Sequence, residues 1–346
     1  MSRRRACRDE ARRMDEPWRG VPTISQVAQA AGVSRATVSR AFTRPQMLSP
    51  DTVSRVKSVA SRLGYVPNQA ARALSTGRHG NIALIVPDVA NPFFPPLIRG
   101  AQARADLAGA CLFLGSSDEN PEREDTLVAK FTGQVEGVIL VSSRLDEERI
   151  RQHAGRVPIV LINRDVTGLP RVLIDTSVGI SAAVDHLAEF GHRRICYVAG
   201  PAASWSNQQR RKAMRAAVRR RGLEMVAVTA QRASFEAGRD IVSALLGTGA
   251  TAAIAFDDVT AQGILVGLAE RRIAVPERFS VIGCDDVLGA TTFPPLTTVS
   301  ARCDEAGEVA LDLLGDVTRL KAMREVRYVL DTHLVVRGSA GPAPGR

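Results

Sequence analysis

Of 346 residues, 46 are Lys or Arg, 36 are Asp or Glu and 45% are hydrophobic, which suits two or three domains with their own cores and excludes a chain disordered throughout. Residues 1–80 hold 15 basic and 5 acidic side chains and residues 81–346 hold 31 of each, so the whole net charge of +10 sits at one end, as expected for a module that meets nucleic acid or an anionic membrane surface. No uncharged apolar run reaches the roughly 18 residues of a membrane span, and the basic start Met1–Arg13 is followed by no apolar stretch that would make it a secretory signal.

The five cysteines, Cys7, Cys111, Cys196, Cys284 and Cys303, form neither a C-x-x-C pair nor a zinc spacing. Thiols kept reduced in the cytosol fit this better than a disulfide framework, so a cytoplasmic protein is expected. Residues 1–20 are Arg-rich, without periodic apolar positions, and read as a disordered arm or as sequence upstream of a true start at Met14.

Residues 21–66 read as an all-α module. Thr23-Ile-Ser-Gln26 has the capping-box pattern, and Ile24, Val27, Ala28 and Ala31 follow at i, i+3, i+4 and i+7. Gly32 permits a sharp turn, Val33 plugs the angle, and Ser34 caps a second helix, Arg35 to Phe42, that buries Val38, Ala41 and Phe42. Ser49-Pro50 starts a third, with Val53, Val56, Ala60 and Leu63 as its stripe. Two helices across a tight turn, the second with a basic polar N-terminal face, predict a helix-turn-helix that can enter the major groove; a small bundle with an ordinary solvated face is the alternative. Residues 67–79, with an Ala-rich helical piece ending at Gly77, read as a linker.

Thr23-Ile-Ser-Gln-Val-Ala-Gln-Ala-Ala-Gly-Val-Ser-Arg-Ala-Thr-Val-Ser-Arg40 and Leu63-Gly-Tyr-Val-Pro-Asn-Gln-Ala-Ala-Arg-Ala-Leu74 resemble the headpiece and hinge of the lactose-repressor (LacI/GalR) family, and the resemblance runs from about Pro22 to Gly338. It implies that Arg35, Ala36 and Arg40 reach base edges, while Thr23, Ser34, Thr37, Ser39 and Asn68 hold phosphates. Base edges carry sequence information and phosphates set register. Ala36 offers only apolar contact, so Arg35 and Arg40 are expected to supply most direct readout, at guanines. Leu74 matches a leucine wedged into the minor groove by a hinge helix that folds on operator DNA. Ala70, Ala71 and Ala73 would let two such hinges approach. Thr43 stands where the family often has Asn.

From residue 80 to 340, short apolar strands near 81–86, 110–116, 136–141, 157–162, 193–199, 252–256 and 279–283 alternate with amphipathic helices, predicting parallel sheets in two lobes. Polar groups follow three of these strands, at Asn163-Arg-Asp165, Asp257-Asp258 and Asp285-Asp286. Ligands of open parallel sheets bind beyond the carboxyl ends of strands, which puts all three on one crevice, although a carboxylate there is often only a helix N-cap.

The resemblance implies a two-lobed α/β core of the type I periplasmic-binding-protein kind, with lobe 1 at about 80–178 and 304–331, lobe 2 at about 179–300 and 332–340, three crossovers and a flexible tail at 341–346. It maps Asn163, Arg210, Asp257 and Asp285 onto polar effector contacts, Phe93, Phe94 and Phe235 onto an apolar wall, and Ser116, which ends the second strand with Ser117, onto a further effector contact. Two carboxylates against one guanidinium disfavour a strongly anionic ligand and point to a neutral sugar or nucleoside, with the sugar preferred. The competing reading of Arg210 is a solvated basic face, since seven of residues 210–221 are Arg or Lys.

No catalytic or nucleotide-binding signature of the G-x-S-x-G, Walker A, G-x-G-x-x-G or H-E-x-x-H kinds occurs, so no enzyme, metal or cofactor is expected. The combined expectation is a homodimeric repressor that binds a pseudopalindromic operator and is released by a small sugar-like effector. With no heptads in the tail, a dimer is expected rather than a coiled-coil tetramer.

Overall fold

The computed structural model describes residues 22–66, 80–320 and 325–345. The arm, the hinge with Asn68 and Leu74, and residues 321–324 lie outside the described residues. The chain divides into two compact units, Met1–His79 and Gly80–Arg346.

In the first unit, α1 (Ile24–Ala31) begins with the capping box formed in full: Gln26 N–H donates to Thr23 Oγ1 and Thr23 N–H donates to Gln26 Oε1 at 2.7 Å. Gly32 closes it at φ 65°, the left-handed region that a residue without Cβ enters at no steric cost. Ser34 then caps α2 (Arg35–Thr43), and Ser49 caps α3 (Pro50–Leu63), whose first residue is a proline that needs no N–H there. Val27, Val38, Ala41 and Val56 pack into a fully buried centre with Ala28, Ala31, Val59 and Ala60, and Phe42 and Tyr65 lean against it. Leu63, expected in that stripe, is exposed: the buried positions of α3 are Val56, Val59 and Ala60, so the contact face ends a turn earlier.

The second unit holds two six-stranded sheets, β11-β5-β4-β3-β1-β2 and β12-β10-β9-β8-β6-β7. In the first are β1 (Asn81–Val86), β2 (Cys111–Ser116), β3 (Gly137–Val141), β4 (Ile159–Ile162), β5 (Arg171–Asp175) and β11 (Arg327–Asp331), all parallel. In the second are β6 (Arg194–Ala199), β7 (Glu224–Thr229), β8 (Ala252–Ala255), β9 (Ser280–Asp285), β10 (Thr297–Ser300) and β12 (Leu334–Val335), parallel except for the β10–β12 pair. Central strands are apolar on both faces because each face is covered. Along β1, Leu84 and Val86 enter one core while Ala83 and Ile85 enter the other.

The covering helices are α4 (Phe94–Leu107), α5 (Pro121–Phe131), α6 (Glu147–Ala154) and α12 (Cys303–Leu320) on the first sheet. On the second they are α7 (Ser177–Glu189), α8 (Trp205–Arg221), α9 (Phe235–Asp240), α10 (Val242–Gly247) and α11 (Asp258–Glu270). Two helix pairs approach at backbone distance. A Cβ on Gly307 of α12 would overlap the Leu97 carbonyl of α4, and one on Gly263 of α11 would overlap the Phe235 carbonyl of α9. The chain crosses between sheets three times, after β5, after β10 and after β11. At the crossings Thr332 Oγ1 donates to the Asp175 carbonyl at 2.9 Å and Ser300 N–H to the His333 carbonyl at 2.9 Å.

The end of the chain is packed where a flexible tail was expected. His192 is fully buried, with Nδ1 2.7 Å from Thr251 Oγ1 and Nε2 3.1 Å from the Gly341 carbonyl, and burial lowers its pKa. Ser280 Oγ accepts from Gly341 N–H, and Ala343 N–H donates to the Phe190 carbonyl. Among the described residues no helix is long and apolar enough to cross a membrane.

Candidate functional site

The first unit presents a polar face on α2. Arg35, Ala36, Ser39 and Arg40 recur at i, i+1, i+4 and i+5, all exposed, opposite the buried Val38 and Ala41. Thr37 is half-buried, its hydroxyl 2.9 Å from Ser34 Oγ, which also accepts from Thr37 N–H at 3.1 Å. No acidic side chain occupies the first turn of α2, so its N-terminus carries the positive end of the helix dipole undiminished. Residues 22–66 hold six basic side chains and a single acid, Asp51. Thr23 is exposed one helix earlier, at the start of α1. Such a face can grip phosphates with N–H groups and hydroxyls while two guanidinium forks reach base edges.

The second unit holds a narrow cavity of about 30 Å³ between its lobes, at the carboxyl ends of β3, β4, β8 and β9. Phe93 and Phe94, packed edge-to-face at 5.1 Å, give it an apolar wall, and Asn163, Arg210, Asp257 and Asp285 face it from buried positions. Of the three polar groups after strands, only one residue each reaches the cavity. Arg164 donates to the Leu145 carbonyl, Asp165 pairs with Arg171, Asp286 pairs with Arg337, and Asp258 turns into the lobe.

Arg210 lies inside the protein, not on the basic face of α8. Its Nη2 donates to Asp285 Oδ1 at 2.7 Å and its Nη1 to the Phe256 carbonyl, with its guanidinium 4.9 Å above the Phe256 ring. Asn207 fixes the start of α8: its Oδ1 accepts from Tyr197 Oη–H at 2.9 Å, and its Nδ2 donates to the Gly200 carbonyl. Burial disfavours the Arg210 charge, but Asp285 more than compensates and the guanidinium stays protonated. Burial pushes Asp285 well above the usual carboxylate range, opposed by Arg210 and reinforced by Asp257 and Asp258.

Asp257 caps α11, accepting from Thr260 N–H at 2.9 Å, and its other oxygen accepts from Asn91 Nδ2 of the opposite lobe at 3.0 Å. Asn91 Oδ1 in turn accepts from Phe93 N–H, setting the entry to α4. Asp258 accepts from Val287 and Leu288 N–H and from Thr298 Oγ1–H, which ties down the loop after β9. Burial pushes Asp258 up to about 6 against those hydrogen bonds. A folded-state pKa above the usual 3.8 means that stability falls as pH rises from about 4 to about 6 and is flat beyond. This group alone accounts for about 3 kcal/mol over that window. In Asp258→Asn, unfolding free energies from urea titrations between pH 4.5 and 7.5 should fall by about 2 kcal/mol less than in the parent, the share of the window that this range covers.

Ser116 and Phe235, mapped to the site by resemblance, do not line this cavity. Ser116 is the last residue of the edge strand β2, and Phe235 opens α9, while Ala233 of the preceding loop and Phe256 take wall positions. Sequence reading also missed Glu119, Ser142, Arg144, Ser204 and Ser206. Arg144 donates to both Glu119 oxygens, at 2.5 and 2.9 Å, in a fork that joins the loops after β2 and β3. A shared backbone feature marks these loops: Asp118, Glu119, Ser142, Asn163 and Asp285 all have positive φ, between 47° and 112°. Non-glycine residues held there concentrate at ligand sites, where surrounding packing sustains the strain.

Known proteins share both parts of this arrangement. Residues 23–68 match the model for bacterial regulatory proteins of the lacI family, and residues 184–340 match a periplasmic binding protein-like domain. The HTH-type transcriptional regulator DegA of Bacillus subtilis is 33% identical over 335 residues, 92% of this chain and 98% of its own. A crystal structure of the lac repressor dimer bound to operator and the anti-inducer ONPF superposes with a TM-score of 0.84 at 25% identity, over 93% of this chain and 99% of that one. A complex of the transcriptional regulator CelR with cellobiose gives a TM-score of 0.70 at 30% identity, over 92% and 99%. A capped helix-turn-helix joined in one chain to a two-lobed core, matched over nearly the full length of these regulators, makes this protein a member of the lacI family of bacterial regulatory proteins.

Proposed function

We propose that this protein is a homodimeric transcriptional repressor, acting on the bacterial nucleoid, that binds a pseudopalindromic operator through α2 and is released when a neutral sugar-like effector occupies the core cleft. The observation that carries the reading is the Arg210–Asp285 pair, buried at the floor of a cavity that both lobes line, in a chain whose other unit presents Arg35 and Arg40 on an exposed helix face. The family's solved members, one seated on operator and one holding cellobiose, support both halves of it. Each site residue has a role: Arg35, Ala36 and Arg40 for base edges, Thr23, Ser34, Thr37 and Ser39 for phosphates, and Asn163, Arg210, Asp257 and Asp285 for sugar hydroxyls.

Switching requires that the effector bind one lobe arrangement better than the other. The Asn91–Asp257 hydrogen bond spans the lobes and so reports directly on that arrangement. The test is operator selection from random duplexes, followed by gel shifts with and without sugars. Arg35→Ala should relax specificity by about 1–3 kcal/mol at one base pair per half-site. An unchanged selection profile would rule out the readout role, and a bound operator that no sugar releases would rule out the effector class.

A further inference from the structure

Exposed arginines of the second unit recur in pairs with acids: Arg104 with Asp312, Arg149 with Asp125, Arg194 with Glu224 and Arg239 with Glu270. Helix α8 departs from this pattern. Its 17 residues include seven Arg or Lys and no acid. Arg210 turns inward, and Arg220 and Arg221 are held by Asp185 of α7. The other four, Arg211, Lys212, Arg215 and Arg219, are exposed and make no ion pair or side-chain hydrogen bond among the described residues. With Gln208 and Ala216 they line an open groove of about 390 Å³ along the outer face of the helix.

Such a row works against the helix that carries it. Arg211, Arg215 and Arg219 stand at i, i+4 and i+8, where like charges repel. The helix dipole favours cations only in the last turn, so it accounts for Arg219 and leaves Arg211, Lys212 and Arg215 without compensation. Solubility is served by both signs interspersed, whereas a field of one sign steers and holds a partner of the other.

We propose that the outer face of α8 is a docking surface for an acidic α-helix of a second protein, a role beyond operator and effector binding. The spacing of the row favours a helix. Its three arginines climb about 6 Å per step, four residues at the rise of an α-helix, and carboxylates at i, i+4 and i+8 of a partner helix repeat at the same interval. Each guanidinium fork matches one carboxylate in bidentate geometry. Ala216 puts only a methyl group between the flanking arms, which lets a second helix approach. A single nucleic-acid strand fits less well, because no aromatic ring lines the groove for its bases to stack on.

The test is fluorescence anisotropy on the full chain with a labelled, alanine-rich helical peptide of about 20 residues that carries Glu at i, i+4 and i+8. A peptide of the same composition, with its Glu residues spread around the helix, is the comparison. The matched peptide should bind about tenfold more tightly, and its affinity should fall as salt rises. Combining Arg211→Gln, Lys212→Gln, Arg215→Gln and Arg219→Gln should weaken it by about tenfold or more, as four exposed pairs of modest strength allow, without lowering operator affinity or the melting temperature. Peptide that attaches to other basic regions of the chain stays bound in that variant and is told apart by it. Arg215→Glu alone should reject the matched peptide and accept one whose central Glu is replaced by Lys. Equal binding of the two peptides, or binding that survives both variants, would overturn the proposal. So would a salt slope for non-operator duplex that drops by about 3 in the fourfold variant, which would give the face to a phosphate backbone. Loss of self-association in sedimentation of that variant would give it to a second copy of this chain instead.

Discussion

Arg210→Met is expected to lose about 3–5 kcal/mol of core stability at pH 8 together with all response to effector, because it strands Asp285 as a buried charge without its cation. The loss should shrink towards pH 5. Burial already pushes the Asp285 pKa up, and without Arg210 the carboxyl takes a proton more readily, so the folded state binds more protons than the unfolded one and gains as pH falls. Adding Asp285→Leu should recover most of the stability and none of the ligand response. Urea titration at the two pH values separates these outcomes, and equal losses at both would mean that Asp285 is not the group left exposed to the penalty.

Gly263→Ala should be as damaging for a wholly steric reason. Its Cβ would overlap the Phe235 carbonyl and crowd Arg239 N, so α9 and α11 must move apart along their shared seam. Overpacking of this kind costs typically 1–3 kcal/mol and more where backbone blocks relaxation, which outweighs the helix-propensity gain of about 1 kcal/mol. Gly315→Ala in α12 is the control: nothing lies within 4 Å of its added Cβ, and the same substitution should stabilise by about 0.5–1 kcal/mol. Melting curves of the two variants should therefore shift in opposite directions.

The headpiece was legible residue by residue because its signals are local. A capping box, a left-handed glycine and a Ser-Pro start each fix a boundary without help from distant sequence, and all three helices begin where those signals place them. The central strands were legible because two covered faces make them continuous apolar runs. The strands that went unread, β5, β7, β10, β11 and β12, are short or mixed in polarity, and their polar positions are satisfied from far away. Thr298 in β10 is buried because Asp258, forty residues earlier, accepts its hydroxyl proton. The same distinction runs through the cleft. Asn163, Asp257 and Asp285 announce themselves by following apolar strands, whereas Glu119 and Arg144 face the cavity because loops with positive φ turn them there and each holds the other. Periodicity carries no trace of such a turn. Ala233, in the loop before α9, lines the cavity where the resemblance had pointed to Phe235.

The three passages of the chain between the sheets have a consequence for how the protein is made. Helix α12 and strand β11 complete the first sheet's core, while β12 and the residues that surround His192 complete the second. Neither lobe can close on the ribosome until its late-coming strand has emerged, whereas the described core of the α1–α3 bundle lies within residues 24–65. Nascent chains should therefore present a folded DNA-reading module ahead of an unfinished core for most of translation. A premature stop between about residues 300 and 327 would release that module without its switch, attached to two lobes that are both missing an essential piece.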